Sequence, residues 1–235
     1  MTVEEMMKTL ESLGSEQTRK TYFRHGAKEP VFGVKVGDLK KLVKHVKKDQ
    51  ELALALYETG NHDAMYLAGL SVNPKLMPKE RLQQWVNNAY WYSLAEYTVA
   101  GVAAESDFAL ELAREWIESD KEMVASCGWS TYANYLSITP DEELNLAEIR
   151  QLMTRVASTI HEEKNRVRYT MNAFVICIGS SIKSLYDESI QVAEKIGKVH
   201  VDVGQTACKV PFAPQYLEKI EAKGKVGVKR KTCIC

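Results

Sequence analysis

The spacing of apolar residues constrains this chain more than any other feature. Val3, Met6, Met7, Leu10 and Leu13 recur three and four positions apart. Val36, Leu39, Leu42, Val43 and Val46 do the same, and Lys40, Lys41, Lys44, Lys47 and Lys48 fill the other face. Residues so spaced share one side of an α-helix, so each stretch predicts a helix with one buried stripe. Similar patterns predict helices over 50–58, 63–72, 93–104, 107–118, 122–136, 165–178 and 184–196. Pro78 suits a first helical position leading into Arg81, Leu82, Trp85 and Val86. Gly (13) and Pro (6) are sparse, too few to punctuate many short strands. Lys198–Val203 alternates as a strand would and is read as an extended connector. The fold class is therefore all-α.

Three helix starts carry capping-box signatures: Ser93-Leu94-Ala95-Glu96, Ser119-Asp120-Lys121-Glu122 and Thr139-Pro140-Asp141-Glu142, the last opening a helix to about Ile160. Helices 63–72, 122–136 and 165–178 are rich in small and apolar residues, as a helix covered on both sides must be. Helix 107–118, with Glu111, Arg114, Glu115 and Glu118, needs only one apolar stripe. Alternating the two types yields an α-solenoid of HEAT-like helix pairs, the three inner helices side by side on one concave surface. Residues 1–222 read as one domain and 223–235 as a basic, mobile tail.

Formal net charge is zero but unevenly spread. Residues 1–48 hold 11 Lys/Arg against 6 Asp/Glu, residues 49–163 hold 7 against 19, and residues 164–235 hold 13 against 6. Basic ends around an acidic middle fit either a polyanion site assembled from both ends or two solvated basic faces. No apolar run approaches the ~18–20 residues of a membrane span. The acidic, amphipathic N-terminus is unlike a secretory signal. Five cysteines without a CxxC pair point to reduced thiols in a cytoplasmic protein. At the C-terminus Thr232 stands where a CaaX cysteine would be, so lipidation is not expected. The histidines lack metal-binding spacing, and His200, Asp202 and Cys208 are at most a partial set. Gly33-Val34-Lys35-Val36-Gly37 lacks the spacing of a phosphate-binding loop. No metal and no cofactor is expected. Ser126-Cys127-Gly128-Trp129 reads as close helix packing, with Gly128 allowing the approach.

Three segments carry a family resemblance: Arg24-His25-Gly26-Ala27-Lys28-Glu29-Pro30-Val31-Phe32-Gly33-Val34, the cluster Tyr90-Trp91-Tyr92-Ser93, and Gly197–Asp202 with Thr206-Ala207-Cys208-Lys209. With the helix order, they resemble the DNA alkylation repair family of HEAT-like proteins, the AlkD-type alkylpurine DNA glycosylases, in a divergent branch. The resemblance implies a C-shaped solenoid holding duplex DNA through its phosphates on a concave basic face. It also implies excision of N3- and N7-alkylated purines. Such bases already carry positive charge, so a carboxylate and tryptophan faces need only stabilise the cationic sugar.

On that resemblance the candidate catalytic residues are Trp91 and Glu96. The family places its Asp four residues after the Trp, here at Ala95, and a one-residue step turns a helical side chain by ~100°. Glu96, third in a capping box, also has a structural task. The family's second Trp falls near Ala173, and a family Arg falls near Ser126. The candidate DNA-contacting residues are Tyr92, Trp129, Arg166, Arg168, Tyr169, Lys35 and Lys209. Base excision, a non-catalytic DNA-binding module and a protein-interaction solenoid all stay open at this level.

Overall fold

The computed structural model describes residues 1–234. Thirteen α-helices and one π-helix make up its regular structure, with short 3₁₀ turns and no strand among the described residues. Helices α1 (Val3–Leu13), α2 (Glu16–Arg24) and α3 (Val36–Val46) precede five outer–inner pairs. These are α4 (Gln50–Glu58) with α5 (His62–Ser71), and α6 (Lys79–Asn88) with the π-helix Ser93–Val99 running into α7 (Ala100–Glu105). Then come α8 (Ala109–Trp116) with α9 (Glu122–Ile138), α10 (Leu146–Thr159) with α11 (Asn165–Ser181), and α12 (Tyr186–Ile196) with α13 (Ala213–Glu221).

Composition decides which helix of a pair is inner. On α8 only Ala109, Leu112, Ala113 and Trp116 are buried, whereas α9 buries ten residues around its circumference. The inner layer runs α5, π-helix with α7, α9, α11 and α13, each packed on the next. Helices α9 and α11 are neighbours as expected, but the π-helix and α7 stand between α5 and α9. Gly128 brings the layers together, since a Cβ there would lie 2.6 Å from the Ile117 backbone nitrogen.

The outer helices are stitched by ion pairs from one repeat to the next. Lys79 meets Glu111 and Glu115, Arg114 reaches Glu148 at 2.6 Å, Arg155 pairs with Glu118, and Arg150 with Glu188 at 2.8 Å. Glu111, Glu115, Glu118 and Glu148 of the acidic middle belong to this ladder.

None of the three capping boxes forms. Ser93 lies within the first turn, and its hydroxyl meets His62 Nε2 at 3.2 Å. Helix α9 starts after Lys121, which makes no side-chain cap. The Thr139 hydroxyl donates back to the Tyr135 carbonyl, and α10 is capped by Asn145. Pro78 is the residue before α6 rather than its first.

Residues 227–234, in the segment read as a tail, lie across the C-terminal ends of the inner helices. Gly227 N–H donates to Ser180 O at 2.8 Å and Arg230 N–H to Ser137 O at 2.7 Å. Lys229 Nζ reaches Leu136 O at 2.9 Å, a cation at a helix C-terminus, where the macrodipole favours it. The Glu105 carboxylate accepts the Cys233 and Ile234 amides. This segment forms one wall of a groove of about 570 Å³ lined by α5, the π-helix, α9, α11 and α13.

Candidate nucleic-acid interface

At the opposite edge of the inner layer, the N-terminal ends of the π-helix, α9 and α11 converge beneath two loops. Asp63, fully buried, shapes the segment that leads out of the first of them: its carboxylate accepts the Phe32, Gly33 and Val34 amides at 2.7, 3.1 and 2.8 Å. Trp91 fixes the loop itself, its indole N–H donating to His25 O at 2.9 Å. The second loop is held by Asn165, whose side chain pairs with both backbone groups of Asp202. The loops meet where Gln205 N–H donates to Arg24 O at 3.0 Å. A pocket of about 530 Å³ lies between them.

The π-helix changes the geometry of Glu96. Its N–H groups bond five residues back, as from Ala100 to Ala95, so each turn takes up an extra residue. Position 96 thereby takes roughly the direction, relative to Trp91, that position 95 would take in an α-helix, and Glu96 comes round to Arg166. It does not cap. The residue is buried, and its carboxylate grips Arg166 through two hydrogen bonds, Nε–Oε1 at 2.8 Å and Nη2–Oε2 at 2.5 Å. Burial pushes the Glu96 carboxyl above its ordinary range, and Arg166 and the Ser126 hydroxyl pull it back.

Arg166 is equally enclosed. Its guanidinium lies between the Tyr92 and Tyr169 rings, 4.1 and 4.3 Å from their centroids. Its backbone N–H donates to Glu122 Oε1 at 2.8 Å. Burial raises the Tyr92 phenol, so it is a neutral donor at physiological pH.

The structure thus gathers Trp91, Tyr92, Glu96, Arg166 and Tyr169 in one place, with Lys209 on the pocket lip. Three other candidates lie elsewhere. Trp129 is 1% exposed and packs against Phe174 in the core, so its ring faces no groove. Lys35 is exposed at the start of α3, and Arg168, two residues on from Arg166, is absent from the pocket lining. Trp91 itself is 6% exposed, wedged against Tyr22, His62 and Tyr92. Sequence reasoning missed Tyr97, Glu122, Asn165 and Asp63. The partners of Glu122, Asn165 and Asp63 are remote in sequence, so local spacing carries no signal for them.

The family model described as DNA alkylation repair enzyme matches residues 6–202. An uncharacterised protein of Listeria innocua is 36% identical over 225 residues, covering 93% of this chain and 97% of that protein. Another, of Listeria monocytogenes, is 36% identical over 231 residues, covering 96% and 100%. A solved structure described as "a new family of proteins related to the HEAT-like repeat DNA glycosylases with affinity for branched DNA structures" aligns over all of both chains, with a TM-score of 0.92 and 36% identity.

Proposed function

This chain belongs to the DNA alkylation repair enzyme family, and from that premise we propose that it binds DNA at branched sites through the phosphate backbone without excising alkylated purines. The observation that carries the reading is the Glu96–Arg166 pair. Stabilising a cationic sugar requires a carboxylate whose charge faces the sugar across a water-poor gap. Here Glu96, the acid one position from where the family places its own, spends both oxygens on the Arg166 guanidinium. The paired cation cancels most of the field that an oxocarbenium ion would feel, and Arg166 would repel it at close range.

The DNA half of the reading draws on the structural relative's affinity for branched DNA and on the basic ends of this sequence. Arg166 is taken by Glu96, so phosphate contacts fall to exposed cations such as Lys28 and Lys209 on the lip. The test is a fluorescence-anisotropy titration of a four-way junction and a linear duplex of equal length across a salt series. The junction should bind more tightly, and its affinity should fall steeply with salt as counterions are released. Equal or salt-independent binding of the two DNAs would overturn the proposal.

A further inference from the structure

The pocket between the two loops has features that backbone binding does not call for. It is a half-open recess beside the bond between Gln205 and Arg24. At about 530 Å³ it is the size of a small-molecule site, and too small for a duplex.

Its lining is aromatic within and basic at the lip. The clamp on Arg166 holds the Tyr92 and Tyr169 rings in place before any ligand arrives. Tyr97 lines both this pocket and the neighbouring groove, so it stands where one opens into the other, and it is 53% exposed despite its size. Two carboxylates line it: Glu122 accepts the Arg166 amide, and the exposed Asp202 accepts the Gly204 amide at 2.8 Å. Lys28 and Lys209, both exposed, supply positive charge at the mouth. A flat, uncharged, hydrogen-bonding ring inside and anions outside describe a nucleobase with its flanking phosphates.

We propose that this pocket receives one unpaired nucleobase displaced at a DNA branch point, stacked on Tyr97, with Lys28 and Lys209 on the neighbouring phosphates. The inference rests on the DNA-binding reading above.

The test compares two junctions that differ only at one unpaired position at the branch, which carries either a base or an abasic sugar. Backbone, charge and flexibility of the branch are kept, so the ratio of affinities reports the base. The protein should prefer the base-bearing junction about tenfold, in the range stacking on an aromatic side chain provides. Tyr97→Ala should bring the ratio near one, and Tyr97→Phe should keep it. Tyr97 is half exposed, so both variants should fold, which circular dichroism checks. Equal binding of the two junctions by the wild type, or a preference that survives Tyr97→Ala, overturns the pocket and leaves backbone binding standing. Binding of neither junction overturns both readings.

Discussion

The molecule uses the carboxylate–guanidinium pair in two places with different consequences. On the outer layer, Arg114–Glu148 and Arg150–Glu188 join successive repeats with one or both side chains substantially in water. In the inner layer, the Glu96–Arg166 side chains are 3% and 10% exposed. Exposed pairs exchange one good solvation for another and contribute roughly 0–1 kcal/mol each. The buried pair has surrendered its water, so each partner depends on the other. The outer ladder sets register between repeats. The inner pair ties the π-helix to α11 and occupies both oxygens of the Glu96 carboxylate.

The largest test of this contrast is Glu96→Ala. It strands a buried guanidinium between two tyrosines and should lower the unfolding free energy by about 3–5 kcal/mol, read from urea denaturation. A loss below ~1 kcal/mol would place the pair with its surface counterparts. Next is Gly128→Ala, at the joint between the two layers. The new methyl group meets the Ile117 backbone, which cannot swing aside as a side chain can. Overpacking of this kind costs about 1–3 kcal/mol, and a neutral effect would mean the layers slide freely.

Smaller effects belong to the outer ladder. Arg114→Ala should cost at most about 1 kcal/mol, and high salt should shrink the difference from wild type. A loss as large as that of Glu96→Ala would dissolve the comparison. The smallest effect is on pH dependence. Hydrogen bonds from Arg114 hold the Glu148 carboxyl below its ordinary range. A carboxyl lowered on folding adds stability above its unfolded pKa and loses it as pH falls through the folded one. Glu148→Gln should therefore show a shallower acid limb of stability than wild type, and an unchanged limb would mean that the pair does no electrostatic work.

These contrasts also mark what the sequence makes legible. Helices with a one-sided apolar stripe, such as α1, α3 and α8, announce themselves because burial and periodicity coincide. Helix α2 buries nothing, so no stripe marks it. Helix α13 is short, and it too goes unmarked. Ser93–Glu96 reads as a capping box because such a pattern reports local bonding alone. What diverts Glu96 is Arg166, 70 residues away, together with a π-turn that spacing does not encode. Asp63 enters the sequence reading only as the start of a helix over 63–72, yet it organises a loop some 30 residues upstream. The candidate site is legible in its residue types, since Trp91, Tyr92, Arg166 and Tyr169 do converge. Its wiring is not legible, because every decisive bond is long-range.

The central claim is that the Glu96 carboxylate is sequestered by Arg166, and the most direct measurement is single-turnover release of N7-methylguanine. Duplex DNA carrying that base is incubated with protein in excess, and binding is verified in the same samples. The account predicts release at the rate of free DNA, with DNA bound throughout. Fast release by the wild type, abolished in a folded Glu96→Gln protein, would contradict it by showing that Glu96 does its chemistry despite its partner.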